Sequence, residues 1–237
     1  MDKNEALENT ELLEIKKELK RFAYAVSHDL QAPLRIVNGY VKIIQRQLAD
    51  SEDNELKEYI GLAVDGVKKM EDYLRDLLAY SRVMHSEVTY HPIKVANLIE
   101  VVKYGLRNEI ESSGAQITAE EIPETMEGSK ELLKQLFFHL LGNAIKFRKD
   151  GETPVIFIRG KEQEAGWYFE ISDNGIGIPD NSYDRIFELF QQLHPADKYG
   201  GNGTGLAICK KIVEMHNGKI EVTSDNGSTF SFFISRE

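Results

Sequence analysis

The sequence predicts an α+β protein, with a helical front half that dimerises ahead of a mixed, loop-rich back half. Glycine and proline carry the first argument. Up to Arg82 there is one proline, Pro33, and three glycines, Gly39, Gly61 and Gly66, while the rest of the chain holds the other fifteen glycines and five prolines. Apolar residues at heptad spacing in the front half carry the second argument, and short alternating runs bounded by glycine in the back half carry the third.

In the front half Leu12, Ile15, Leu19, Phe22 and Val26 are spaced 3, 4, 3 and 4. The pattern resumes after Pro33 at Val37, Val41, Ile44 and Leu48. Asp50 to Asn54 is a polar, breaker-rich turn. Beyond it Leu56, Ile60, Ala63, Val67, Met70, Leu74, Leu77, Ser81 and Met84 alternate by 4 and 3. Such spacing makes a coiled-coil seam. Two helices joined by a short turn bury one narrow stripe each, and pairing two hairpins into a four-helix bundle buries more, so a homodimer is expected. The plainer alternative is a hairpin packed on the rest of its own chain. The charged segment 1–20 reads as the stub of a signalling helix, 21–87 as the dimerising hairpin, and 91–237 as a second domain. The boundary falls near Ser86–Pro92, where β-branched Val88 and Thr89 and then Pro92 interrupt the helical pattern.

In the back half an amphipathic helix is expected from Ala96 to about Ser112 and a strand over Ala115–Ile122. Ser129 reads as the N-cap of a helix reaching Phe147. Strands follow at Val155–Arg159 and Trp167–Ser172. A glycine-rich stretch, Gly200–Gly205, opens a helix ending near Asn217-Gly218, with glycine in the left-handed position after the last turn. Ile220–Thr223 and Thr229–Ile234 close the chain as strands.

Composition narrows the function classes. The 29 basic and 39 acidic residues give a net charge of −10, which argues against broad nucleic-acid binding, because neutralising phosphates takes a basic face. A single cysteine, Cys209, excludes an intrachain disulfide framework and a multi-cysteine zinc site and suits a reducing compartment. No apolar run approaches the ~18 residues of a membrane span. The expected setting is the cytosol, or the cytosolic part of something larger.

Four groups of polar residues stand outside the core pattern. His28 lies on the solvent side of its helix within Ser27-His28-Asp29-Leu30-Gln31-Ala32-Pro33. Pro33 lacks the N–H that would reach the Asp29 carbonyl, which kinks a helix at a cost on the order of 3 kcal/mol. A kink one turn on gives the imidazole access, and Asp29 can hold its tautomer and take a proton. A surface histidine and a nucleophile both remain open readings. Next, His139, Asn143 and Lys146 form a stripe beside the apolar face of Leu133, Leu136, Phe137, Leu140, Ala144 and Phe147. That stripe is either a solvated flank or a pocket wall, with the amide on a hard cation and the amine on phosphate.

Asp173 is the third group. Alternation along Trp167, Phe169 and Ile171 turns it toward the core, where an unpaired carboxylate costs several kcal/mol. The following Asn174-Gly175-Ile176-Gly177 allows close backbone approach. A flat ligand with an amino group, such as adenine, satisfies both features; a carboxylate capping its own turn is the alternative. The fourth group is Gly200-Gly201-Asn202-Gly203-Thr204-Gly205-Leu206, which opens a helix whose N-terminal N–H groups suit phosphate. The spacing fits neither a Rossmann loop nor a P-loop, and a plain flexible loop is the other reading.

Together these segments resemble the transmitter module of two-component sensor histidine kinases, and the resemblance covers nearly the whole chain. Phe22 to Arg35 looks like the phosphoacceptor box in the variant of phytochrome-like and PAS-linked kinases. Asn143-Ala144-Ile145-Lys146-Phe147 is similar to the N box, and Asp173-Asn174-Gly175-Ile176-Gly177 to the first glycine box. Ile186-Phe187-Glu188-Leu189-Phe190 resembles the F box, Gly201 to Ala207 the second glycine box, and Gly227-Ser228-Thr229-Phe230 the terminal one. Six motifs in this order behind a heptad hairpin are specific, though each alone is only moderately so.

The resemblance implies a Bergerat α/β sandwich, with a mixed sheet under three helices, and ATP-dependent phosphorylation of His28 assisted by Asp29. It implies Mg²⁺ on Asn143, phosphate contacts from Lys146 and the adenine amino group on Asp173. Gly175 and Gly177 would admit the base. Gly201, Gly203, Thr204, Gly205 and Leu206 would belong to a lid and its hinge over the triphosphate, with His139 and Thr229 in the same site. The implied partners are a second copy, an upstream sensor domain and a response-regulator receiver domain whose aspartate takes the phosphoryl group.

Three departures qualify this carry-over. His139 stands where asparagine is usual, which implies altered nucleotide chemistry. Ala32 stands four residues after His28, where phosphatase-competent members carry Thr or Asn, so weak phosphatase activity is expected. Gln192 replaces a lid arginine. An ATP-binding dimeric scaffold without phosphotransfer is the alternative function. An ATPase related to type II topoisomerases or chaperones would leave the hairpin unexplained. Lys210 and Lys211 are expected to be solvated, and Cys209 to be a small buried apolar residue.

Overall fold

The computed structural model describes residues 30–48, 53–193 and 199–236. The chain divides into two compact units, Met1–His85 and Ser86–Glu237. The expectations for the segment 1–20, for His28 and Asp29, for most of the turn at Asp50 and for residues 194–198 lie outside the described residues.

The first unit contains α1, residues 30–47, and α2, Asn54–His85. Asp53 starts α2 by accepting the Leu56 N–H on Oδ1 at 3.0 Å, which satisfies one of the orphan donors of the first turn. Along α1, Gln31, Leu34, Asn38, Val41 and Leu48 are half-buried, and Asn38 Nδ2 donates to Glu71 Oε1 on α2 at 2.9 Å. The expected α1 seam therefore divides. Val41 and Leu48 take the partly buried side, whereas Leu30, Val37 and Ile44, seven residues apart, are exposed. One helix partner covers one stripe of a heptad pattern, and a second stripe stays uncovered.

The second unit contains a five-stranded mixed sheet in the order β2-β4-β5-β7-β6 and a separate β1–β3 pair. The strands are β1 (His91–Lys94), β2 (Gln116–Glu120), β3 (Thr125–Gly128), β4 (Val155–Gln163), β5 (Gly166–Asp173), β6 (Ile220–Thr223) and β7 (Thr229–Ser235). β2 runs parallel to β4, and the other neighbours are antiparallel. The helices are α3 (Val95–Gly105), α4 (Arg107–Ser113), α5 (Lys130–Lys146) and α6 (Gly205–Met215). Alternation along β5 and β7 buries Trp167, Phe169, Ile171, Phe230, Phe232 and Ile234. Phe137 of α5 meets Phe169 and Phe232 edge-on, at 5.5 Å each between centroids. Each fully buried ring of this kind contributes about 1.5–3 kcal/mol from area alone, and together they hold α5 rigidly on the sheet.

Several boundaries differ from expectation. The predicted helix from Ala96 is two helices, because buried Leu106 adopts φ −100°, ψ 15° between them. The β1–β3 pair was not expected; Pro92 interrupts the helical pattern and yet suits a strand of a two-stranded sheet. Ser129 precedes α5 but makes no side-chain cap; its N–H is taken by His216 instead. After α6 the left-handed residue is Asn217 (φ 53°) rather than Gly218. Gly218 N–H reaches Val213 O at 2.9 Å and Asn217 N–H reaches Glu214 O at 3.1 Å, a Schellman ending. Gly218 is required for room, since a Cβ there would stand against the Phe233 carbonyl. Among the described residues no helix is long and apolar enough to cross a membrane.

Candidate functional site

The C-terminal half of α5 is the common wall of the site. His139, Asn143 and Lys146 are half-buried and line one cavity of about 590 Å³ together with Leu106, Phe138 and Tyr199. The stripe read from the sequence as a flank or a pocket wall is thus a wall. Burial lowers the Lys146 pKa from the usual lysine value, so its ammonium is poorly hydrated and gains by meeting an anion. Its Nζ lies 4.7 Å from the centroid of the Phe147 ring, and that ring tilts against Tyr199 at 5.2 Å.

The Asp173 turn joins this wall through the Phe147 backbone. Ile176 N–H donates to Phe147 O at 3.0 Å, and a Cβ on Gly175 would stand 2.5 Å from the same oxygen. Asp173 Oδ1 accepts the N–H of Gly175 at 2.7 Å and of Ser228 at 3.2 Å. Capping its own turn therefore occupies one oxygen. Oδ2 receives no hydrogen bond from a described residue and is not sealed from solvent. Burial pushes the carboxyl pKa up, while the two N–H donors and the Lys149 charge pull it back. Gly177 (φ 76°) turns the chain where a Cβ would meet Ser224 Oγ at 2.7 Å. Thr229 lies opposite Ser172 in the strand register, and its Oγ1 donates to Ser172 Oγ at 2.9 Å.

The glycine-rich arm joins α5 on the other side. A Cβ on Gly201 (φ 78°) would stand 2.7 Å from Lys146 Nζ, and one on Gly205 would stand 3.2 Å from His139 Nδ1. Gly203 (φ 73°) lies so close to Gln191 that a Cβ would overlap its carbonyl oxygen. Thr204 is buried ahead of α6, and Leu206 is half-buried in its first turn. The first turn of α6 thus faces the α5 stripe with the positive end of its dipole.

The sequence reading gave no individual role in the site to Phe147, Tyr199 or Lys149. Phe147 fitted the apolar face, so nothing marked its ring and carbonyl as part of the site. Tyr199 and Lys149 come close only through the fold. Gln192, noted for what it replaces, donates from Nε2 to Gly201 O at 2.8 Å. Cys209 is fully buried, with its thiol pKa raised by burial. Lys210 is exposed and Lys211 pairs with Glu214 at 3.5 Å, so neither belongs to the site.

The second unit thus presents a half-buried carboxylate with one oxygen left for a donor, glycines that pack tightly against Phe147 and Lys146, a poorly hydrated ammonium and a helix N-terminus, a set of groups that suits an adenine nucleotide. Asn143 offers one hard oxygen, which suits a cation that takes its other ligands from phosphates and water. Among the described residues no group of three or more His, Cys, Asp or Glu is placed to hold a metal ion.

Comparison with known proteins gives the family. Residues 18–86 match the His Kinase A (phospho-acceptor) domain, and residues 128–237 match the histidine kinase-, DNA gyrase B- and HSP90-like ATPase family. Cyanobacterial phytochrome A of Nostoc is 45% identical over 219 residues, 92% of this chain and 28% of that protein. Phytochrome-like protein Cph1 of Synechocystis is 41% identical over 221 residues, 92% of this chain and 29% of that protein. The chain spans under a third of the length of these relatives. Among solved structures, full-length ShkA in complex with AMPPNP aligns with a TM-score of 0.64 at 22% identity, covering 91% of this chain and 46% of that one. Histidine kinase ThkA in complex with response regulator TrrA aligns at 0.64 and 23% identity, covering 100% of this chain and 67% of that one. With a phosphoacceptor match in front and an ATPase match behind, both in the expected order, the chain belongs to the sensor histidine kinases as a transmitter module of the phytochrome-like subgroup.

Proposed function

We propose that the chain is the kinase core of a two-component sensor: it phosphorylates its own His28 from ATP, and a receiver-domain aspartate then takes the phosphoryl group. The observation that carries this reading is that the C-terminal part of α5 meets both the Asp173 turn, through the Phe147 carbonyl, and the glycine-rich arm, through Lys146. Asp173 Oδ2 accepts the adenine amino group, while its Oδ1 stays on the Gly175 and Ser228 N–H groups. Lys146 and the first turn of α6 hold the phosphates, and Asn143 holds Mg²⁺, whose charge offsets that of the phosphates. One His28 ring nitrogen attacks the γ-phosphorus in line as the bond to the bridging oxygen breaks, releasing ADP. Asp29 takes the proton from the other ring nitrogen. Catalysis of this kind rests on positioning and charge neutralisation.

The functional form is a homodimer. Leu30, Val37 and Ile44 of α1 and Leu56 and Met70 of α2 are exposed in the single chain, and a second hairpin covers such stripes in a four-helix bundle. In that reading 21–87 is the dimerising phosphotransfer hairpin and 91–237 the ATP-binding domain. The sensor lies upstream, and the site of action is the cytoplasm. ThkA, solved with its response regulator, and ShkA, solved with AMPPNP, make the same partner classes the natural ones here.

Incubation with γ-labelled ATP and Mg²⁺ tests the reading. Acid-labile, alkali-stable label that disappears in His28→Ala is the expected result. Bound nucleotide without label would instead favour a dimeric signalling scaffold, the reading that His139 and Gln192 keep open.

A further inference from the structure

Gln192 lies beside the nucleotide site and has no part in the roles assigned above. It follows Phe190, whose φ of 63° is left-handed in a non-glycine residue, and Gln191, whose Oε1 accepts from Arg185 Nη2 at 3.4 Å. The side chains of Gln191 and Gln192 thus engage different partners. Gln192 Nε2 crosses to the glycine-rich arm and donates to Gly201 O at 2.8 Å. The backbone of Gln191 forms the other half of the junction, because Gly203 rests on its carbonyl oxygen with no space for a Cβ. Two successive residues therefore seat two glycines of the arm, one by shape and one by a hydrogen bond.

What the arm is seated on gives the bond its consequence. Gly201 lies directly over the Lys146 ammonium, 2.7 Å from Nζ to the position a Cβ would take. Lys146 is a long side chain held between the Phe147 ring and this glycine, and a lysine left alone samples many rotamers. The shape contact at Gly203 cannot by itself fix the Gly201 carbonyl two residues earlier, since glycine backbone is permissive. A directed donor at 2.8 Å can.

We propose that Gln192 is a positioning residue for the phosphate subsite: its amide clamps the glycine-rich arm against Lys146 and thereby sets where the ammonium meets an anionic ligand. In this role the residue acts through the arm and Lys146 rather than by contact with the phosphates. A neutral donor here does by backbone placement what a basic side chain would do by direct contact. This inference rests on the nucleotide reading above, and it concerns the phosphates and not the base, which that reading assigns to Asp173.

The test is calorimetric titration of the full chain with adenosine and with AMPPNP plus Mg²⁺, in wild type and in Gln192→Leu, Gln192→Glu and Gln192→Arg. Losing one directed hydrogen bond should weaken AMPPNP about tenfold in the Leu and Glu variants, with adenosine unchanged within about twofold. Gln192→Arg keeps an N–H donor and should not weaken AMPPNP. Unchanged AMPPNP affinity in Gln192→Leu, or equal weakening of both ligands, overturns the proposal. A wild type that binds neither ligand defeats the nucleotide reading itself. A ligand-free measurement separates the two failures: the Lys146 ¹³Cε resonance should titrate at higher pH in Gln192→Leu, because the uncovered ammonium regains water. A Lys146 titration identical in both proteins also overturns the clamp.

Discussion

His216 Nε2 accepts the Ser129 N–H at 3.1 Å, while its Nδ1 donates to Ile212 O at 2.8 Å. The ring is fully buried, with Tyr90 edge-on at 5.8 Å. This one imidazole ties the end of α6 to the start of α5, and the start of α6 meets α5 again where Gly205 stands against His139. It is held as the neutral Nδ1–H tautomer, because protonation would aim a second N–H at the Ser129 donor.

Acid should therefore loosen the second unit. Burial lowers the His216 pKa in the folded state, so the unfolded chain binds this proton at the higher pH. The contribution is fully present above the unfolded value of about 6.5 and is lost as pH falls from there through the folded pKa. Urea midpoints measured from pH 8 to 5 should decline more steeply for wild type than for His216→Gln. At pH 8 the substitution itself should cost about 1–3 kcal/mol, for the buried bond it disturbs. Parallel pH profiles would show that the ring is not the titrating element.

Asp173→Asn should keep the fold and lose the nucleotide. The amide oxygen can replace Oδ1 on the Gly175 and Ser228 N–H groups, which leaves an NH₂ facing the adenine amino group, donor against donor. Unpairing a built hydrogen-bonding site costs on the order of a hundredfold or more in discrimination. Calorimetry with ADP should show such a loss alongside an unchanged unfolding temperature.

Lys146→Met should separate phosphate from base. The substitution keeps the apolar stem and removes the charge, so ADP should bind about tenfold more weakly while adenosine binds as before. Equal losses for both ligands would place Lys146 on the base instead.

Glycine to alanine should have opposite signs in the two units. Gly39, Gly61 and Gly66 lie within α1 and α2 with nothing within 4 Å of a built Cβ, so each substitution should stabilise its helix by about 0.5–1 kcal/mol. Gly203 combines φ 73° with a Cβ position that would overlap Gln191 O. Gly203→Ala should cost at least 1–2 kcal/mol locally and reduce AMPPNP binding. Hydrogen exchange around 191 and 203 would report the local opening.

Ala32→Thr tests the phosphoacceptor helix. Ala32 is exposed on α1, four positions after His28 in the sequence. A hydroxyl there can orient a water, so the variant should dephosphorylate a phosphorylated receiver domain faster than the parent chain. A sharp fall in that activity would contradict the weak phosphatase reading.

Much of this protein was legible residue by residue. Heptad spacing announced the hairpin, because coiled-coil helices bury a stripe that sequence distance alone defines. Alternation announced β5 and β7, because pleating sends neighbours to opposite faces. His139, Asn143 and Lys146 share one face by helical geometry and needed no tertiary information. The break at Leu106 was hidden, because an apolar residue continues the helical pattern whether or not its backbone does. The β1–β3 pair was hidden because a four-residue strand carries too little periodicity.

By itself, then, the amino-acid order determined most of the helices and strands, which polar residues share a face and which family the motifs belong to, since all of these depend on spacing along a chain of known local geometry. The tertiary structure alone decided what those residues meet. It put Phe147 O against Gly175, Lys146 under Gly201, His139 beside Gly205, the amide of Gln192 on the glycine-rich arm and the imidazole of His216 between two helices. Such contacts join residues up to 87 positions apart, and they are set by how a rigid α5 lies on the sheet, which no local pattern encodes.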